Sequence, residues 1–167
     1  MRKIILMGRS ECGKTTLTQA LKGERIVYRK TQYVNYFDVI IDTPGEYVQT
    51  KQLGYALALY AYEADVVGLL LSATEPYCLY PPNITCMVNR EVVGIVTKIN
   101  DEKADVGRAE RWLRLSGCKK IFYVDSKKQE GIGELLEYLR EEGDVMPWEV
   151  SEDGNQQKQH IKSRKIQ

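Results

Sequence analysis

Short apolar runs alternate with amphipathic stretches along the chain, the pattern of an α/β domain with a mostly parallel sheet. Residues 3–7, Lys-Ile-Ile-Leu-Met, read as a first buried strand. Lys14–Leu21 reads as the helix after a glycine loop, with Gly23 as its stop. A polar, tyrosine-containing stretch follows to Tyr36, and residues 37–41 form a second strand closed by Asp42-Thr43-Pro44-Gly45. Residues 48–62 carry Leu53, Leu57 and Tyr60 at helical spacing. The near-continuous apolar run 65–71 suits a parallel strand buried on both faces. Pro81-Pro82 break the chain before a short helical or irregular piece, and Glu91–Thr97 is another buried strand. Residues 105–115 form a charged amphipathic helix, Lys120–Val124 an edge-type strand, and residues 132–141 the last helix.

With 167 residues, the chain has room for one domain with a sizeable core. The expected division is a domain over residues 1–143 and a disordered tail over 144–167, where Ser, Gln, Lys, Asn and Gly replace core-forming residues. Trp148 is that tail's best docking anchor. A formal net charge of +1 gives no broad attraction to nucleic acid or acidic lipid. No apolar run approaches the roughly 20 residues that span a bilayer. The apolar start runs straight into Gly8 and is too short for a signal peptide. The expectation is a cytoplasmic protein with neither a nucleic-acid nor a membrane partner.

Cys12, Cys78, Cys86 and Cys118 make no Cys-x-x-Cys pair, and the single histidine, His160, lies in the tail. That composition argues against a zinc site and against Ser-His or Cys-His hydrolysis. Cys12 has two readings: a small loop residue, which is the simpler, or a thiolate favoured by the neighbouring lysine and backbone N–H groups.

Residues 8–15, Gly8-Arg9-Ser10-Glu11-Cys12-Gly13-Lys14-Thr15, match the Walker A pattern between a strand and a helix. Glycines let backbone N–H groups converge on phosphate oxygens, and the following helix, continuing through Thr16, aims its positive end at the same place. Lys14 would reach the β and γ phosphates, and the Thr15 hydroxyl would hold Mg²⁺. Asp42, after a strand, fits a Walker B aspartate that holds Mg²⁺ through water, and the Gly45 N–H would meet a γ-phosphate. Thr31 stands where a first switch threonine would complete the metal site.

In Gly13-Lys14-Thr15-Thr16-Leu17, Lys30-Thr31-Gln32, residues 41–47 (Ile-Asp-Thr-Pro-Gly-Glu-Tyr) and residues 93–99 (Val-Gly-Ile-Val-Thr-Lys-Ile), the chain resembles the small GTPase-like P-loop proteins, and more closely the EutP/PduV family of ethanolamine and propanediol utilisation. The resemblance covers about residues 1–140. It implies a three-layer P-loop NTPase fold, with a mostly parallel sheet flanked by helices. It also implies a bacterial cytosolic protein linked to amine or diol catabolism and to a microcompartment, with a protein of the same pathway as partner. Mg²⁺ and a nucleoside triphosphate are the implied cofactors, with GTP preferred to ATP.

Several positions depart from the GTPase pattern. The guanine-reading Asn-Lys-x-Asp is Thr97-Lys98-Ile99-Asn100 here. An Asp accepts two bonds from guanine, whereas Asn100 offers one oxygen and one competing donor, a loss of about 2–4 kcal/mol. Guanine affinity should fall, or preference should move toward xanthine (XTP), unless Asp101 substitutes from one residue later. Lys98 would still pack along the base. The second base-contact segment aligns with Asp125-Ser126-Lys127, with Asp125 where a serine is usual. Glu46 replaces the glutamine that orients the attacking water, and Glu11 adds charge in the loop, facing Arg9, a bound cation or solvent, with solvent the simpler reading. Slow hydrolysis follows.

Three functional classes fit: a GTPase-like switch, a small-molecule (acetate-type) kinase using ATP, and a non-catalytic nucleotide-binding scaffold. A kinase normally brings a mobile arginine lid. Arg108, Arg111 and Arg114 are spaced as a solvated helix face, which favours the switch. Tyr55, Tyr60 and Tyr62 accompany Leu53, Leu57 and Leu59, so packing is the expectation over a partner surface.

Overall fold

The computed structural model describes residues 1–23, 35–36, 40–42, 59, 61–144 and 146. Among these residues, six strands form one sheet: β1 (Ile4–Met7), β2 (Asn35–Tyr36), β3 (Ile40–Asp42), β4 (Val66–Ser72), β5 (Glu91–Thr97) and β6 (Lys120–Val124), in the order β2-β3-β1-β4-β5-β6. Every neighbouring pair is parallel except β2 with β3. The parallel strands all end at the same edge, where open α/β sheets bind ligands.

Side-chain alternation along β1 divides the core. Ile4 and Leu6 face the layer built by α1 (Lys14–Leu21) and α3 (Ile132–Leu139), where Leu17, Leu21, Leu135 and Leu139 pack. Ile5 and Met7 face the opposite layer, which holds Ala109 and Leu113 of α2 (Val106–Leu115). Helices on both faces of the sheet make three layers. All residues of β1 and β4 are buried, which explains their lack of polar alternation.

Several expected boundaries move. Asp42 is the last residue of β3, paired in register with Leu6, rather than the first residue of the closing turn. The antiparallel β2 falls in a stretch too polar to read as a strand. The last helix stops at Leu139 because Arg140 is extended (ψ 141°). Asp105 is an N-cap, its side chain accepting from the Arg108 N–H, so that helix begins at Val106. The piece after Pro81-Pro82 is a short 3-10 helix, Ile84–Met87. Most of the helix expected over 48–62 lies outside the described residues. Leu59 and Tyr62 are 65% and 71% exposed, so packing does not account for them. Tyr55, Tyr60 and Trp148 lie outside the described residues, as do residues 147–167. Met146 is fully buried against the α1 and α3 layer, three residues past the expected domain end.

Candidate functional site

The loop between β1 and α1 closes tightly on itself. A Cβ at Gly8 would lie 2.5 Å from Cys12 Sγ and 2.9 Å from the Leu70 carbonyl oxygen, so only glycine lets the strand turn there. Gly13 has φ 101°, and Glu11 takes a left-handed φ of 66° that a side chain rarely adopts. Gly13 is the N-cap of α1 and supplies no side-chain cap, leaving the positive end of the helix facing the loop. Lys14 is only 5% exposed, and its Nζ donates to the carbonyls of Gly8 and Arg9, both at 2.8 Å. A buried ammonium thus sits inside a ring of backbone. Ser10, Thr15 and Thr16 are half-buried around it.

Cys12 is buried, with Sγ 3.9 Å from Lys14 Nζ. Burial pushes its thiol up and outweighs the opposing pull of Lys14, so the thiolate reading is corrected. Cys12 packs as a small neutral loop residue.

Two further loops meet this cradle at the carboxyl edge. At the end of β5, the Thr97 hydroxyl donates to the Cys12 carbonyl at 2.5 Å, and Lys98 Nζ donates to the Glu11 carbonyl at 2.8 Å. After β6, Asp125 Oδ1 accepts the N–H groups of Lys127 and Lys128, and Gln129 Nε2 donates to the Ser126 carbonyl. Asn100 Nδ2 donates to Glu130 Oε2 at 2.5 Å, joining the two loops. Four non-glycine residues among those described have positive φ, and three of them, Glu11, Lys98 and Gln129, lie in these loops. Strained backbone gathered at one edge is what a ligand-binding arrangement stores.

A supporting group lies behind the cradle. Arg9 Nη1 bonds Glu75 Oε2 at 2.6 Å, its guanidinium lies 5.3 Å from the Tyr77 ring centroid, and Arg108 Nη2 donates to the Glu75 carbonyl. Arg108 therefore turns inward, against the expectation of a solvated face, whereas Arg114 pairs with Glu110 on the surface. The buried Tyr80 hydroxyl lies 3.0 Å from the Met7 carbonyl and 2.7 Å from that of Leu70, bridging β1 and β4 where the cradle begins.

Of the residues expected at the site, the structure gathers Gly8, Arg9, Ser10, Glu11, Cys12, Gly13, Lys14, Thr15 and Thr16 with Thr97, Lys98, Asn100, Asp125, Ser126 and Lys127. Asp42 ends β3 beside β1 at the same edge. Thr31, Gly45 and Glu46 lie outside the described residues. Asp101 Oδ1 accepts the Lys103 N–H at 3.0 Å and closes a turn next to Asn100. Glu11 is exposed; Arg9 bonds the Glu75 carboxylate, and the Glu11 charge acts on it as well. The contacts of Glu75, Tyr80 and Glu130 with these loops and strands were not legible in the sequence, since each residue lies outside a motif and meets partners distant along the chain.

Comparison with known proteins agrees with this architecture. A family model described as ethanolamine utilisation – propanediol utilisation matches residues 1–141. The propanediol utilization protein PduV of Citrobacter freundii is 39% identical over 140 residues, covering 83% of this chain and 93% of that protein. The Escherichia coli K12 protein named probable acetate kinase EutP is 30% identical over 142 residues, covering 83% and 89%. A solved structure of GDP-bound Methanosarcina barkeri Roco2 RocCORdC has the same fold, with a TM-score of 0.58 at 19% identity. That likeness covers 83% of this chain and 47% of the longer one.

Proposed function

The chain belongs to the PduV-EutP family, ethanolamine utilisation – propanediol utilisation, and on that premise we propose that it is a GTPase-like protein of that metabolism, binding a Mg²⁺–nucleoside triphosphate at residues 8–15 and hydrolysing it slowly. The observation that carries the reading is the Lys14 ammonium, buried and held by the Gly8 and Arg9 carbonyls in front of an uncapped helix start. Phosphate oxygens would draw Nζ away from those carbonyls, while the loop N–H groups and the end of α1 face the same charge. Thr15 and Asp42, at the ends of loop and strand on this edge, are assigned to hold Mg²⁺, which would neutralise phosphate charge.

Thr97 and Lys98 brace the cradle, and in this reading Asn100, Asp125, Ser126 and Lys127 surround the base. Thr31, Gly45 and Glu46 are assigned as the segments that respond to the γ-phosphate, with Glu46 beside the attacking water. In this reading nucleotide state governs docking to a protein of the same pathway or microcompartment, in the bacterial cytoplasm. Titration calorimetry with GTP, ATP and XTP, with and without Mg²⁺, tests it. Lys14→Ala should abolish binding and phosphate release, and retention of both would overturn the assignment.

A second reading is supported by the name of the Escherichia coli relative, probable acetate kinase. In that chemistry an acetate oxygen attacks the γ-phosphorus of ATP, the bond to the β-bridging oxygen breaks, and acetyl phosphate and ADP form. Trapping acetyl phosphate as its hydroxamate distinguishes it from hydrolysis. Binding without phosphate release or transfer would instead mark a scaffold.

A further inference from the structure

Asn100 on its own is a poor reader of guanine, yet it does not stand on its own. Its amide donates to Glu130 Oε2 at 2.5 Å across the two loops that flank the cradle. An ionised carboxylate only accepts hydrogen bonds, so the NH₂ end of Asn100 must face Glu130 and its Oδ1 must point away. The donor that would have clashed with guanine is thereby occupied. The pair now presents acceptors: Asn100 Oδ1 and the remaining lone pairs of the Glu130 carboxylate.

The backbone that carries this carboxylate is fixed. Asp125 and Glu130 exchange two backbone hydrogen bonds, each at 3.1 Å, and left-handed Gln129 and Gly131 flank Glu130. On the other loop, Lys98 is tied to the Glu11 carbonyl, which sets the distance from Asn100 to the cradle. Both Asn100 and Glu130 are exposed at the rim, where an incoming ligand can reach them.

We infer that Glu130 is a specificity-determining residue, its carboxylate acting with Asn100 as a composite acceptor for a purine bearing adjacent N1–H and 2-amino donors. This rests on the triphosphate-binding reading above and names the base for it. Guanine supplies two neighbouring donors. Adenine sets an acceptor at N1, and xanthine sets a carbonyl at position 2, which the carboxylate repels. Hypoxanthine keeps N1–H and lacks only the 2-amino group, so it isolates that contact. The drift toward xanthine expected from Asn100 is therefore reversed by a residue 30 positions away.

The test is equilibrium binding of GTP, ITP, XTP and ATP to the full chain and to its Glu130→Gln and Glu130→Ala variants, with folding checked by circular dichroism. The wild type should prefer GTP to ITP and to XTP. Either variant should lower GTP affinity by roughly tenfold or more and bring the GTP-to-ITP ratio toward unity. An unchanged ratio in the variants, or a wild type that prefers XTP or ATP, overturns the assignment. Equal binding of all four triphosphates by the wild type removes the role of Glu130 but leaves the cradle standing. No Lys14-dependent binding of any of them removes both.

Discussion

The Thr97 hydroxyl donates to the Cys12 carbonyl at 2.5 Å, fastening the end of β5 to the middle of the phosphate loop. Both residues are buried, so water cannot take over the bond. Thr97→Val keeps the shape and removes the donor, leaving a buried carbonyl without its partner, at a cost of about 1–3 kcal/mol. The urea midpoint should fall with an unchanged m-value, and triphosphate affinity should fall with it. Wild-type stability in Thr97→Val would mean that the bond is incidental.

Gly8→Ala should be the more severe change. Its Cβ would meet Cys12 Sγ and the Leu70 carbonyl, and the carbonyl belongs to a fully buried strand that cannot yield. About 1–3 kcal/mol of destabilisation is expected, with loss of nucleotide binding. Gly23→Ala meets nothing within 4 Å and bears only the cost of its φ of 65°. Thermal melts of the two variants side by side separate crowding from backbone strain, and equal losses would refute the crowding account.

The cysteines give a chemical check on the cradle. Cys86 is exposed, Cys12 and Cys118 are buried, and burial pushes the Cys118 thiol up to about 12. Timed alkylation with iodoacetamide at pH 8, read by peptide mass spectrometry, should mark Cys86 well before Cys12. Faster labelling of Cys12 would reinstate the thiolate.

Elements and motifs were legible where local pattern determines them. Ile4 to Met7 announce a buried strand, and Gly8 through Thr15 announce the loop, because each rests on residues adjacent in sequence. Strand β2 was hidden because Asn35 and Tyr36 gain their strand from pairing with β3, not from their own polarity. Arg108 shows the limit of spacing arguments: the i, i+3, i+6 pattern is real, but the Glu75 carbonyl draws one member inward. Asn100 departs visibly from the guanine-reading pattern, but its bond to Glu130 was out of reach of the sequence, because the two residues meet through the β5–β6 pairing and the turn after β6.

The Tyr80 hydroxyl donates its one proton to the Leu70 carbonyl inside β4, at 2.7 Å, or to that of Met7 at the end of β1, at 3.0 Å. Burial raises its pKa well above the ordinary value, so it stays protonated and able to donate. Tyr80→Phe should cost about 1–3 kcal/mol, measured by urea denaturation, by stranding a buried acceptor. A smaller loss than that of Thr97→Val in nucleotide affinity is expected, since the hydroxyl of Tyr80 bonds strand carbonyls and not one of the loop.

Away from the site, Glu91 gives stability an acid-sensitive component. The nearby Tyr138 hydroxyl, which has no hydrogen bond of good geometry, and the Arg2 guanidinium, bonded at 2.7 Å and the firmer of the two, hold the Glu91 carboxyl below the ordinary 4.5 despite the opposing effect of burial. A carboxyl with a depressed folded value contributes stability above its unfolded value and loses it as pH falls through the folded one. The side chain is 50% exposed, so solvent screens the pair and the contribution is about 0–1 kcal/mol. Glu91→Gln should therefore lower the urea midpoint slightly at pH 7. Below the folded value, where the wild-type carboxyl is itself protonated, the gap between the two proteins should close. Added salt should narrow it at pH 7 as well. A deficit of equal size at both pH values would assign the loss to packing rather than to the charge on Glu91.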